Sequence, residues 1–323
     1  MNKDIKYFGI DISHLVFDVT DSDGNYYQFK NNATGFIKFI KLLDNSSHCV
    51  MEATGYYHYQ LAYYLLESGL KVSVENPLSV KRFIQMKLSK VKTDKSDSKL
   101  ICEYAKQVEL KLWQGTSKDQ IECLQMVRLL SVYTKQSTML KNKIHGEAVL
   151  GNPSKLVVRS LKRCLKQLEK EIKDLENKLL FLVKQDHQDL LTRLKTIPGI
   201  GPKTALMLVV FTGGFDRFTS ASELCSYAGL TPVIRQSGSS VHGRPRISKI
   251  GNQKLRNLLF MCSFNACKYN KACREIYERI VAKGKSKKLT LIAVCNKLLK
   301  QAFAIAKSGL IYDDSYRSVL VKK

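Results

Sequence analysis

From Tyr7 to Pro77 the hydrophobic period of the chain switches back and forth between two and about 3.6, and this alternation restricts the fold more than any other feature. Three short strands are predicted first, near YFGIDIS, LVFDVTD and YYQFKN, with Asp23-Gly24-Asn25 as the turn signal between the last two. A helical stretch follows from Gly35 to Leu43, apolar at Phe36, Phe39, Ile40 and Leu43. HCVMEAT then reads as a buried strand, YHYQLAYYLLESG as a helix ended by Gly69, and KVSVENP as a further strand stopped by Pro77. Strands alternating with helices after an opening meander predict an α/β domain built on a mixed sheet.

The pattern then becomes helical, from about Ser96 to Leu150. Residues 154–187 carry Leu161, Leu165, Leu168, Ile172, Leu175, Leu179 and Leu182 at spacings of three and four, which predicts a long amphipathic helix or coiled-coil arm. Such a stripe serves either a neighbour within its own domain or a second copy of the chain. Residues 215–232 read as a helix and turn, followed by the Gly/Ser/Arg-rich loop RQSGSSVHGRPRISKIGNQKLR and by helices to about Lys307. With 323 residues there is room for two compact domains and a connector.

Charge divides the chain unevenly. Residues 1–150 hold 20 Lys+Arg against 16 Asp+Glu, whereas residues 151–323 hold 33 against 12. An excess this large in one half predicts a polyanion footprint, although any single run such as KGKSKK at 283–288 also serves as a solvated surface. No uninterrupted apolar run nears the ~20 residues that span a bilayer, and MNKDIKYFGID holds no signal-peptide apolar core. Nine cysteines without a CxxC pair read as reduced thiols, so a cytoplasmic protein is expected, with no membrane partner. Cys262, Cys267 and Cys273 cluster in sequence but have no histidine nearby to complete a zinc set.

Against this basic background four acids occur in a suggestive order: Asp11 in YFGIDIS, Glu52 in CVMEATG, and Asp94 and Asp97 in KTDKSD. Asp11 and Glu52 fall on strands expected to lie side by side, and Asp94 and Asp97 share one face if a helix starts by Asp94. Hard oxygen ligands of this kind suit Mg²⁺ or Mn²⁺, and two such ions about 4 Å apart activate an oxygen nucleophile and stabilise the leaving oxygen of a phosphodiester. Taken singly, each acid has a plainer role as a turn, edge or cap residue. Asp18, Asp21 and Asp23 are expected to be solvated turn residues. The actin-like kinase and ATPase fold also opens with Gly-Ile-Asp on a strand, but its phosphate cradle needs a glycine soon after, and here none comes before Gly24.

Two features of the basic half can meet phosphate. In LKTIPGIGPKTALML the turn Pro198-Gly199-Ile200-Gly201 between helical segments is similar to a helix-hairpin-helix, in which Gly199, Gly201 and Lys203 would approach a DNA backbone without regard to sequence. In the Gly/Ser/Arg-rich loop, Ser237 precedes Gly238 among Arg235, His242, Arg244, Arg246 and Lys249. Guanidinium groups hold phosphate oxygens bidentately, and a serine hydroxyl activated by a base, a metal or phosphate polarisation becomes a nucleophile. Serine and glycine are also ordinary loop residues, and the residues alone leave both readings open.

GIDIS, MEATG and KTDKSD, followed downstream by IPGIGPKTA, YAGLTP, RQSG and HGRPRISKIGNQKLRNLL, together resemble the DEDD transposases of the insertion sequence 110 family, over about Tyr7 to Ile311. The resemblance implies a RuvC-like, RNase H-type metal domain over residues 1–110, a helical coiled-coil connector over 111–190, a mainly helical transposase domain over 191–312 and a tail over 313–323. It implies that Asp11, Glu52, Asp94 and Asp97 hold Mg²⁺ and that Ser237 is the nucleophile. It further implies an enzyme that excises and inserts a mobile element, with donor and target DNA and a bridge non-coding RNA as partners. A covalent serine–phosphate intermediate would form at a site shared between subunits of a homo-oligomer, a dimer of dimers. Ser98 stands where the family more often has alanine. No general base for Ser237 is assigned, and the roles of His242 and Arg244 stay open. Two other readings fit the charge pattern: a RuvC-like endonuclease that uses water, and a non-catalytic nucleic-acid scaffold.

Overall fold

The computed structural model describes residues 5–316 except 54, 89–92, 235, 238–240 and 244–245, with side chains left out at 236, 241 and 242. The chain divides into two compact units, residues 1–116 and 117–323.

The first unit is a five-stranded mixed sheet, as the alternating pattern predicts. β1 (Lys6–Ile12), β2 (Val16–Asp21) and β3 (Tyr26–Lys30) form the antiparallel meander. α1 (Ala33–Ile40) leads to β4 (Ser47–Glu52), α2 (His58–Glu67) to β5 (Lys71–Glu75), and the spatial order is β3-β2-β1-β4-β5 with β4 parallel to both its neighbours. Alternation decides the two faces. Phe8, Ile10, Phe17, Val19, Cys49 and Met51 point to one side, where they form a core with Phe36 and Phe39 of α1 and Leu61 and Leu65 of α2. Each large side chain buried this way contributes roughly 1.5–3 kcal/mol.

The opposite face is covered by α4 (Asp94–Gln107), which follows α3 (Pro77–Met86). Its fit depends on Gly9, where a Cβ would lie 2.1 Å from the Cys102 backbone nitrogen and 2.4 Å from the Ser98 carbonyl oxygen. Beside that contact Thr20 Oγ1 and Ser98 Oγ hydrogen-bond at 2.8 Å, and Ser98 Oγ also donates to the Lys95 carbonyl at 3.0 Å. The serine that departs from the family pattern is therefore fully buried with its hydroxyl satisfied.

The second unit is helical: α5 (Lys118–Val149), α6 (Lys155–Lys195), α7 (Pro202–Thr212), α8 (Ala221–Tyr227), α9 (Gln253–Tyr269), α10 (Lys271–Ala282) and α11 (Lys287–Ser308). Between α8 and α9 lie four two-residue strands, β6 (Pro232–Val233), β7 (Gln236–Ser237), β8 (Val241–His242) and β9 (Arg246–Ile247), paired as β6 with β9 and β7 with β8. α5 and α6 are consecutive and pack along each other, with Lys141 of α5 bridging Glu169 of α6 at 2.9 Å. The leucine stripe meets this neighbour: Leu179 is fully buried, Leu175, Leu182 and Ile172 pack against the core, and Leu161, Leu165 and Leu168 are half-buried. α11 is long and apolar enough to cross a membrane by length and composition, yet Val294, Cys295, Leu298, Leu299 and Ala302 lie fully buried in the core of this unit.

Four sequence expectations need correction. Pro77 does not simply stop β5; it occupies the first turn of α3, where a missing N–H costs nothing, behind Asn76, whose Oδ1 accepts from the Leu78 amide. The helix predicted over 154–187 runs on to Lys195 with a kink at His187 (φ −128°, ψ 24°). The Gly/Ser/Arg-rich segment forms short hairpins. Asp18 and Asp21 are not solvated: they are 1% and 2% exposed, whereas the Asp23 side chain is 69% exposed as expected.

Candidate functional site

The acids of the first unit gather on the sheet face that carries α4. Asp11 lies on β1 two residues from Gly9, so the alternation directs it to the same side, and its cross-strand partner on β2 is Asp18. Glu52 ends β4, one position beyond the Ile10–Met51 pair that links β1 to β4. Asp94 and Asp97 stand in the first turn of α4, where the helix dipole favours negative charge. That turn is fixed by a capping box: Thr93 Oγ1 accepts from the Ser96 amide at 3.1 Å and Ser96 Oγ accepts from the Thr93 amide at 2.9 Å, an arrangement worth about 1 kcal/mol.

The consequence is concentrated on Asp11. Burial first, then the negative charges of Asp97, Asp94, Glu52 and Asp18, push its carboxyl from 3.8 up to about 6. Charge is thus in excess at this point, and the donors are all hard oxygens, a set that fits a divalent cation by its chemistry. Among the described residues no three His, Cys, Asp or Glu side chains stand close enough together to enclose a metal ion.

The two buried aspartates have different surroundings. Asp21 accepts from the backbone amides of Asp23 and Asn25 at 2.9 Å and from Asn25 Nδ2 at 3.0 Å, and lies 3.7 Å from Lys6 Nζ. Burial alone would raise its pKa, but these hydrogen bonds and the Lys6 charge bring it below the ordinary value. Asp21 therefore builds the β2–β3 turn. Asp18 Oδ1 instead accepts from the Tyr26 hydroxyl and from Gln28 Nε2 at 3.0 Å. The bond to Asp18 pushes the Tyr26 phenol up to about 12, with burial and the charges of Asp18 and Asp94 adding to it. Lys95 Nζ sits over the Tyr26 ring, 5.0 Å from its centroid.

In the second unit Ser237 is exposed on β7, opposite Val241 of β8. Arg246 and Lys249 are exposed, Arg246 on β9 and Lys249 in a left-handed conformation (φ 57°) just before α9. Arg235, Arg244 and Gly238 lie outside the described residues, as does the side chain of His242. At the α6–α7 turn Gly199 (φ 103°) has a packing reason of its own, since a Cβ would lie 2.8 Å from that of Ala266 on α9. Gly201 opens α7 at the surface without a side-chain cap. Lys203, beside it, is ion-paired with Glu176. Sequence reading missed Asp18, although a strand hairpin turning at Ser13–Leu15 sets position 18 opposite position 11.

A mixed sheet with acids on one face, in a chain whose remaining mass is helical and strongly basic, has the make-up of a protein that processes nucleic acid. Residues 8–150 match a transposase family model bearing the DEDD name, and residues 191–278 match the transposase IS116/IS110/IS902 family. The pilin gene-inverting protein of Moraxella lacunata is 32% identical over 323 aligned residues, which cover 95% of this chain and 97% of that protein. Its namesake in Moraxella bovis is 33% identical with the same coverage. The transposase for insertion sequence element IS1111A of Coxiella burnetii is 26% identical over 287 residues, 80% of this chain and 76% of that protein. The chain belongs to the IS116/IS110/IS902 family of transposases, a class of DNA-processing enzymes whose DEDD domain is RNase H-like.

Proposed function

We propose that this protein excises and inserts a mobile element by presenting the Ser237 hydroxyl to a DNA phosphodiester, with Asp11, Glu52, Asp94 and Asp97 holding Mg²⁺ and a bridge RNA selecting donor and target strands. The observation that carries the reading is the gathering of carboxylates around Asp11, on the sheet face that carries α4; burial first, and then the charges of Asp97, Asp94, Glu52 and Asp18, push its carboxyl up to about 6. Like charges held this close are a standing cost, and a divalent cation bound among them would relieve it. Bound there, the cation would polarise the scissile phosphate and stabilise the departing oxygen.

In the first step the bond from Ser237 Oγ to phosphorus forms as the bond from phosphorus to the leaving strand breaks, and the hydroxyl proton passes to the departing oxygen. In the second, a strand hydroxyl attacks the serine ester, a new phosphodiester forms and Ser237 regains its proton. Arg246 and Lys249, with Arg235 and Arg244 in the same loop, neutralise phosphate charge. Two transesterifications conserve the number of phosphodiesters. The Moraxella relatives are named for inverting a gene, a rearrangement that requires rejoining, and hydrolysis by water would leave open ends. This favours serine over water as the nucleophile.

The same reading assigns residues 1–110 to the metal domain, 111–190 to a connector, 191–312 to the serine-bearing domain and 313–323 to a tail. Acids of one subunit and the serine of another complete the site in a dimer of dimers. The test is a strand-exchange assay with purified protein, Mg²⁺, bridge RNA and DNA carrying the element ends. Sealed recombinants are expected from the wild type, with neither recombinants nor nicks from Ser237→Ala. Nicking that persists in Ser237→Ala would make the protein a water-using nuclease. Recombination that survives removal of the RNA would overturn the guide.

A further inference from the structure

Asp18 is a buried carboxylate to which the described residues bring no ion-paired cation. Among the described residues no Lys, Arg or His nitrogen lies within the 4.0 Å ion-pairing distance of it. Its two hydrogen-bond donors, the Tyr26 hydroxyl and the Gln28 amide, are neutral. Burying a carboxylate costs several kcal/mol unless charge or enough donors compensate, and an asparagine in its place would accept the same two bonds through its amide oxygen. Asp21, three residues along the same strand, shows the contrast: backbone amides and Lys6 account for its charge. What Asp18 has instead is a location. It is the direct cross-strand partner of Asp11 on the α4 face, and its clamp residue Tyr26 lies beneath Lys95, next to Asp94 in the first turn of α4.

We propose that Asp18 is a positioning residue of the Asp11 site, an outer carboxylate whose fixed charge strengthens the hold of Asp11, Glu52, Asp94 and Asp97 on a divalent cation. The inference rests on the metal reading above and goes beyond it by naming a fifth acid and its clamp, Tyr26 and Gln28. Outer partners hydrogen-bonded to metal ligands typically change metal affinity by about 10–100-fold; Asp18, whose bonds go to Tyr26 and Gln28, acts on Asp11 through its charge, so the lower end of that range is expected. A purely structural Asp18 would act on folding and leave metal affinity alone.

The experiment is a Mg²⁺ titration of the purified full chain, repeated with Mn²⁺, read as the rise in melting temperature followed by fluorescence. The single tryptophan, Trp113, lies in the first unit against Tyr63 and reports that unit. Asp18→Asn is expected to melt without metal at or above the wild-type temperature and to need about tenfold more Mg²⁺ for the half-maximal shift. Tyr26→Phe, which removes one clamp bond and keeps the ring, is expected to raise that midpoint by a smaller factor. An Asp18→Asn midpoint equal to wild type, with the response abolished in Asp11→Asn, overturns the inference and leaves the metal reading intact. A wild-type response in Asp11→Asn overturns both. Should Asp18→Asn fail to fold, an unchanged midpoint in Tyr26→Phe decides against the inference.

Discussion

Residues 1–116 carry 15 Lys+Arg against 13 Asp+Glu, and residues 117–323 carry 38 against 15. In the first unit the carboxylates are the constrained groups: Asp18 and Asp21 are buried, Asp11 and Glu52 half-buried, and the acidic first turn of α4 lies on the same face as Asp11 and Asp18. In the second unit Arg246 and Lys249 of the serine segment lie at the surface, the first on a two-residue strand and the second in a left-handed conformation. A rigid sheet fixes like charges near one another, where their repulsion is a standing cost that a cation can remove. Short strands displaying cations suit a partner whose phosphates replace water and counterions. On the function proposed above, the contrast gives one chain both settings it needs, carboxylates for a metal ion and surface cations for a polyanion.

The largest expected effect breaks the first side of that contrast. Asp11→Asn should lower recombination by about 10³-fold or more, on the scale of losing a group that acts as part of a catalytic unit. In the same variant the metal-free melting temperature at neutral pH should hold or rise, since repulsion from Asp97, Asp94 and Glu52 is removed. A fall in both would reduce Asp11 to a structural residue. Gly9→Ala comes next. The added methyl meets backbone atoms of α4 at 2.1 and 2.4 Å, so the first unit should lose about 3 kcal/mol or more in denaturant unfolding followed by Trp113. Wild-type stability in that variant would mean α4 does not seat on β1 as described.

The pH response sharpens the same point. The Asp11 carboxyl in the folded state lies near 6, above its ordinary 3.8, so the folded chain binds this proton more tightly than the unfolded one. Its contribution to metal-free stability therefore grows as pH falls from 7 through about 6 towards 3.8, the reverse of an ion-paired carboxylate. Mg²⁺ competes with the proton, so the midpoint of the metal-induced melting shift should move to higher Mg²⁺ as pH drops through 6. A midpoint independent of pH between 5 and 7 would contradict this. The smallest effects fall on the basic unit. Arg246→Ala and Lys249→Ala should each reduce the salt dependence of DNA binding by about one released counterion. Lys203→Ala should do less, since its charge is already shared with Glu176.

Much of the first unit was legible because the strand period of two and the turn residues carry local information. Phe8, Ile10, Phe17 and Val19 announce their face by spacing alone, and the order of the four acids along the chain could be read directly. α3 was hidden because Pro77 marks a strand end and a helix start equally well, and the bond that decides between them, from the Leu78 amide to Asn76 Oδ1, is seen only in the folded chain. The short hairpins around Ser237 depend on pairing across the segment, which no run of Gly, Ser and Arg reveals. Asp18 was read as solvated because aspartate usually sits in turns, and only the register of β1 against β2 turns it inward. That Asp94 and Asp97 face the strand acids was expected from the sequence, but the seat for α4 was not: it depends on Gly9, where any Cβ would meet the α4 backbone.

A serine nucleophile working with a metal ion is tested by trapping the protein–DNA adduct formed with Mg²⁺ and mapping the modified peptide by mass spectrometry. Wild type should carry DNA on Ser237, and the adduct should vanish in Ser237→Ala, in Asp11→Asn and on chelation of the metal. An adduct on another residue, or one that forms undiminished in Asp11→Asn without metal, would contradict it.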